Sequence, residues 1–289
     1  MAVLRAPEQA ADLERRFGGL RRLYGDTGYA RVRQARVAVV GLGGVGSWAV
    51  EALARSGVAQ LVLFDLDHVA ESNINRQAQA TSLSVGMAKV QALRERIHII
   101  HPGCDVVGVE EFVSTDNWPG LLPTPVDGLI DACDQVSAKA ALATWGISSG
   151  VPVVCVGAAG GKRLPQRVEV EDLADTSHDP LLASLRQRLR KAGTAPRQGR
   201  MGLRCVFSRE SVAPPFQLAQ PAQTCEVEAA AQAAGDGTLN CHGYGSSVTV
   251  TATFGLVAAA EVLALLQASA PGQEQQKQLI QSAVLRMGR

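Results

Sequence analysis

Between residues 37 and 156, short apolar runs and amphipathic stretches follow one another in regular alternation. The run at 37–40 enters a glycine turn, a stretch carrying Trp48, Leu53 and Ala54 at helical spacing comes next, and a second run occupies 61–64. Continuous β-rich runs of this length mark strands buried on both faces, and a 3.6-residue recurrence marks helices laid over them, here with Trp48, Leu53 and Ala54 towards the sheet. The same pattern predicts a helix from Lys89 to about Ile100, strands over 104–109 and 126–131, a helix over 136–149 and a strand over 151–156. The predicted fold is therefore α/β, a Rossmann-like, doubly wound, mostly parallel sheet.

After residue 156 the alternation stops. Gly157-Ala158-Ala159-Gly160-Gly161 leads into a short exposed strand at 167–170, and Asp179-Pro180 opens a helix with a capping carboxylate and proline at its first position. Residues 213–238, rich in Ala, Gln, Pro and Gly, read as a mobile loop. The longest apolar run, 248–266, approaches the roughly 20 residues of a membrane span, but it contains Glu261 and several threonines. A β-rich start, VTVTATF, followed by a helix in the core or in a dimer interface is the expectation. The organisation expected is a basic N-terminal arm (1–36), a nucleotide-binding domain (37–160) and a C-terminal α+β extension (161–289), all in one globular unit.

Composition narrows the classes. A chain of 289 residues can bury a substantial core, and 28 Lys and Arg against 27 Asp and Glu give no overall bias towards a polyanion. The distribution is less even. Residues 15–36 hold seven arginines and one acid, Asp26, while 180–209 hold eight cations and no acid. Both segments read either as solvated helix surface or as contacts to phosphate. The six cysteines never form a C-x-x-C pair, which removes zinc ribbons and redox pairs. With no apolar leader at the N-terminus, free thiols in a reducing cytoplasm are expected.

Candidate chemistry gathers in the first half. Gly41, Gly43 and Gly46, with Gly44 between them, fit the G-x-G-x-x-G turn that brings backbone amides and a helix N-terminus against phosphate. Asp65 ends the second strand, where a ribose carboxylate normally stands. So far an NAD-dependent oxidoreductase is permitted. Ser72-Asn73-Ile74-Asn75-Arg76-Gln77 then places two amides and a guanidinium beyond that carboxylate, a set suited to a triphosphate and without a task in hydride transfer. Lys89 falls in the first turn of its helix, a position that disfavours a cation unless an anion is beside it. Asp131 and Asp134 close the fourth strand, facing the crevice of an open sheet, and one of them would cap the next helix.

With Gly41 to Gly46, Asp65-x-Asp67, Ser72 to Gln77, Lys89 and Asp134 in this order, the chain resembles the ubiquitin-activating-enzyme superfamily, including MoeB, ThiF and HesA. Arg16-Phe17-Gly18-Gly19, Arg22-Leu23-Tyr24-Gly25, Ser177-His178-Asp179-Pro180-Leu181 and Cys205-Val206-Phe207-Ser208 are similar to one branch, the tRNA threonylcarbamoyladenosine dehydratases. The resemblance implies ATP and Mg²⁺ as cofactors and adenylation of a carboxylate as the chemistry. It implies that the glycine loop, Asp65 and Asp67 hold adenosine, that Asn73, Asn75, Arg76 and Lys89 hold phosphates, and that Asp134 places the metal. Arg76, Lys89 and Asp134 are the implied catalytic residues, although Gln135 stands where many relatives have Asn.

For that branch, the resemblance further implies a tRNA substrate, whose threonyl carboxylate is activated and closed into a ring, and a homodimer to which Arg22 would contribute across the interface. Arg186, Arg190 and Arg197 are the expected tRNA contacts. A cysteine-desulfurase sulfur relay is an expected partner, with Cys205 or Cys241 as acceptor. The alternative within the superfamily is an enzyme adenylating the C-terminus of a sulfur-carrier or ubiquitin-like protein.

Overall fold

The computed structural model describes residues 11–213 and 244–268. Two helices, α1 (Leu13–Phe17) and α2 (Gly19–Gln34), precede the alternation. It then runs β1 (Arg36–Val40), α3 (Gly46–Arg55), β2 (Gln60–Phe64), α4 (Lys89–Ile100), β3 (Asp105–Val109), β4 (Gly128–Asp131), α5 (Val136–Ser149) and β5 (Val153–Val156). The second half adds β6 (Val168–Asp172), α6 (Pro180–Ala192), β7 (Arg204–Ser208) and α7 (Val248–Ala268). All seven strands form one sheet in the order β3-β2-β1-β4-β5-β7-β6. Every neighbouring pair is parallel except β6 with β7 at the edge. The sheet runs on across residue 160, so the change of sequence style there is no break in the core.

The continuous apolar runs are explained by two buried faces. Val37, Val39, Leu61 and Leu63 enter one core with α3 and α7, while Ala38, Val40, Val62 and Phe64 enter the other with α5 and α6. Successive strand residues point to opposite faces, so a strand covered on both sides needs apolar residues throughout. Truncating a buried aromatic such as Phe254 in this setting costs about 3–5 kcal/mol.

Residues 248–254, expected as strand, begin α7 instead. Val250, Phe254, Ala258, Val262 and Leu266 recur every four residues and are all buried, making one stripe. Gly255 lets α7 lie against the start of α3, where an added Cβ would stand 2.4 Å from the Val45 carbonyl oxygen. Tertiary burial of that stripe overrides the strand preference of the β-branched residues. Glu261, the acid within the apolar run, accepts from Arg204 Nε at 2.6 Å. The helix is long and apolar enough to cross a membrane, yet its stripe is part of the core over β4 and β5.

Helices α1 and α2 form a packed cover. Phe17, Tyr29 and Val32 are buried. Arg16 donates to the Ile100 carbonyl at 2.7 Å, Arg31 and Arg33 to those of Gln267 and Gly57, and Arg36 grips Asp127 through two nitrogens at 3.0 and 3.1 Å. Arg15 and Arg22 remain exposed. Cys225, Cys241 and residues 214–238 of the expected loop lie outside the described residues.

Candidate functional site

The strand order reverses between β1 and β4, and the crevice beyond the C-terminal ends of these strands is where open α/β sheets take ligands. A cavity of about 360 Å³ lies there. Gly41 leaves β1 at φ 86°, a conformation open to glycine, with the Ala132 backbone 2.8 Å from where a Cβ would be. Gly46 starts α3 without a side-chain cap. Among the described residues the amides of Gly43, Gly44 and Val45 have no hydrogen-bond partner. Three free donors at the positive end of a helix make an anion cradle.

Asp65, at the end of β2, is buried and fixes the loop from below. One of its oxygens accepts from the Leu42 amide at 2.6 Å and the other from the Asp67 amide at 2.9 Å. Burial raises its pKa, against the Lys89 charge and these two amides, which lower it. Lys89 does open α4, as the pattern predicts, and its anion is supplied by the chain itself. Its ammonium lies 2.7 Å from Asp67 and 3.8 Å from Asp65. The Asp67 side chain is 57% exposed, so this pair stands at the cavity wall.

The 72–77 segment folds over the glycine loop. Gly44 packs on the Arg76 stem, where an added Cβ would be 3.2 Å from Cγ, so the guanidinium chain crosses the cradle directly. One nitrogen of Arg76 donates to the Ser72 carbonyl at 2.8 Å and to Asn75 Oδ1 at 2.9 Å; its other nitrogens have no partner among the described residues. Trp48 turns out to serve this segment, donating Nε1 to the Arg76 carbonyl at 2.9 Å, while Leu53 and Ala54 face the sheet as expected. Asn73 lines the cavity, although its Oδ1 is used to accept from the Ala70 amide. Asn75 does not line it: its amide donates to the Ser246 carbonyl at 3.3 Å, so it positions Arg76 and the start of α7.

The two carboxylates after β4 have separate fates. Asp131 does not face the crevice. It is fully buried against Lys139, equally buried, at 3.1 Å, and accepts a contact from the Cys133 thiol at 2.9 Å. Asp134 is exposed in the cavity wall and has no hydrogen bond among the described residues. It does not cap α5, whose cap position is Gln135 and which has no side-chain cap bond. A carboxylate that is free of the fold and lines the same cavity as the glycine cradle suits Mg²⁺, which uses one or two protein carboxylates and takes its other ligands from phosphates and water.

Several wall residues were missed by sequence reasoning. Gly157 to Gly160, Pro180, Val212, Tyr244 and Thr251 close the cavity from the second half of the chain. The glycine-rich exit from β5 was their one legible signal. Gln79, also unanticipated, is buried and donates to the Leu42 carbonyl at 3.1 Å, tying the 72–77 segment to the glycine loop. Arg22 does not reach the cavity of its own chain. Cys205 is fully buried in β7 beside Cys155, which places it out of reach of an incoming sulfur donor.

The acid-free segment looks different in three dimensions. Arg204 and Arg209 find Glu261 and Glu169, and Arg186 donates to the carbonyls of Leu173 and Thr176, both at 3.0 Å. Arg186 thus gives one nitrogen, Nη1, to the fold, and the Nε of Arg190 is buried. Arg188, Lys191, Arg197 and Arg200 are exposed and have no ion pair among the described residues.

Residues 17–288 match the ThiF family. The tRNA threonylcarbamoyladenosine dehydratase of Escherichia coli strain K12 is 41% identical over 261 residues, covering 89% of this chain and 96% of that protein. A crystal structure of the Escherichia coli dehydratase TcdA in complex with ATP superposes with a TM-score of 0.77 at 38% identity, over 89% of this chain and 96% of that one. Its complex with AMP gives 0.76 at 39%, over the same shares. The glycine cradle, the overlying arginine and the free strand-end aspartate therefore stand in a chain that belongs to the ThiF family and, within it, to the tRNA threonylcarbamoyladenosine dehydratases.

Proposed function

We propose that the chain catalyses the ATP-dependent dehydration of threonylcarbamoyladenosine next to a tRNA anticodon. The observation that carries this reading is the convergence in one cavity of the unpartnered amides of Gly43 to Val45, the Arg76 guanidinium and the free Asp134 carboxylate. Amides and guanidinium bind and orient the triphosphate, and Asp65 holds the glycine loop through the Leu42 amide. The threonyl carboxylate oxygen attacks the α-phosphorus, the bond to the β-phosphate oxygen breaks, and pyrophosphate leaves. A nucleophilic atom of the same modification then attacks the activated acyl carbon, AMP departs with the former carboxylate oxygen, and a ring closes with net loss of water.

Donors fixed before the reaction stabilise the charge that develops on the phosphates, because they need no reorganisation. Lys89 can turn from Asp67 towards a phosphate, since the pair stands at the wall of the cavity. Asp134 would hold Mg²⁺, which supplies compensating positive charge at the phosphates. No cysteine nucleophile is required by this chemistry. A cytoplasmic homodimer acting on tRNA is the assembly this reading carries.

The test is incubation of purified protein with ATP and tRNA bearing threonylcarbamoyladenosine. AMP and pyrophosphate should form in step with nucleoside that has lost the mass of one water. AMP formation that is independent of the modified tRNA would overturn the reading.

A further inference from the structure

A second cavity of about 320 Å³ opens beside the first, and Pro180 and Val212 line both. Its wall carries Ser177, His178, Arg186 and Ser211, none of which the ATP chemistry above employs. His178 is the single non-glycine residue with positive φ among the described residues, at 57°. Side chains other than Asn, Asp and His rarely accept that backbone conformation, so this turn is a distinctive local feature.

Lys162 holds that turn from inside. Its side chain is 2% exposed, and its ammonium donates to the carbonyls of His178 at 3.3 Å, Ser208 at 3.0 Å and Glu210 at 3.1 Å. One buried cation thus ties the turn at 176–179 to the segment that leads to Ser211 and Val212, the opposite wall. With its carbonyl drawn inwards, His178 keeps an exposed imidazole whose Nδ1 is 3.0 Å from Ser177 Oγ. Arg186 uses a single nitrogen, Nη1, for its contacts to Leu173 and Thr176. Its Nε and Nη2 have no partner among the described residues.

We propose that this second cavity receives the nucleotide flanking the modified adenosine, with its base stacked on His178 and its phosphate at the open edge of Arg186. The proposal rests on the tRNA-modifying reading. The reacting carboxylate must meet the α-phosphorus in the first cavity, so a cavity one residue's thickness away receives what is covalently next to it, which is RNA. Single-stranded loop nucleotides are recognised by this set of groups: a flat ring for the base, hydroxyls for its edge and a guanidinium for the phosphate.

The experiment uses an anticodon stem-loop RNA carrying threonylcarbamoyladenosine, and the same RNA with either flanking nucleotide made abasic. His178→Asn removes the ring but tolerates positive φ. Loss of one base stack raises KM for the intact RNA by about tenfold, with kcat and the KM for ATP unchanged. With one of the abasic RNAs, variant and wild type should coincide. An unchanged KM for intact RNA, or an equal loss with intact and both abasic RNAs, would overturn the assignment. Wild-type protein that forms no AMP on the intact RNA would overturn the functional reading itself, and the subsite with it.

Discussion

Two lysine–aspartate pairs stand at the same edge of the sheet. Lys139 and Asp131 are 3.1 Å apart with both side chains fully buried, whereas Lys89 and Asp67 are 2.7 Å apart with Asp67 57% exposed. In the sequence the two look alike, each an aspartate at a strand end followed by a lysine early in the next helix. The sealed pair cannot meet a ligand. Burial alone would lower the Lys139 pKa; the Asp131 charge, the neighbouring Cys133 and Cys155 and the hydrogen bond to Asp131 together more than reverse this, so the ammonium stays charged inside the core. The open pair can exchange partners, because the Lys89 ammonium borders a cavity into which a phosphate fits. Solvent access, and not residue type, separates a charge that holds the fold from one that handles substrate.

Breaking the sealed pair from one side gives the largest expected effect. Lys139→Met leaves Asp131 as an uncompensated buried charge and should destabilise the protein by about 3–5 kcal/mol in denaturant unfolding. Lys139→Met with Asp131→Leu should recover most of that loss. A single variant as stable as wild type would show that the pair is dispensable to the core.

A second buried group sharpens the same contrast through pH. His101 is 1% exposed; burial, then the Arg33 and Arg16 charges, lowers its pKa to about 4. Unfolding restores its ordinary affinity for a proton, so the unfolded chain binds more protons as the medium acidifies. Its contribution is therefore present above about pH 6.5 and lost as pH falls towards 4. The melting temperature should drop across that window, and His101→Gln should flatten the drop. A parallel profile in the variant would assign the acid sensitivity elsewhere.

The smallest effect belongs to the exposed cations. Reversing Arg188, Lys191 and Arg197 to Glu should leave the fold and ATP affinity unchanged, and should reduce the slope of log tRNA affinity against log salt by about two. An equal slope would leave them as ordinary solvated charge.

The mostly parallel sheet and the glycine loop were legible because two-sided burial and tight turns leave local signatures. The resemblance named Asp134, Arg76 and Lys89 together, and the structure brings all three to the wall of one cavity. The helical start of α7 was not legible, since its β-branched residues are held helical by contacts with α3 that lie some 200 residues earlier in the chain. Nor could spacing reveal that Asp131 turns inward, that Asn75 serves Ser246, or that Arg186 spends a nitrogen on carbonyls. Those roles depend on partners distant in sequence, as does the wall that Pro180, Val212 and Tyr244 bring to the cavity.

The central claim is that Asp134, alone among the strand-end carboxylates, acts on the reaction. Single-turnover AMP release from Asp134→Asn, measured with modified tRNA at saturating ATP and Mg²⁺, tests it directly. Loss of one preorganised electrostatic group should slow release by about two orders of magnitude, while ATP binding, followed by thermal shift, stays close to wild type. Release at the wild-type rate in a folded variant would contradict the account.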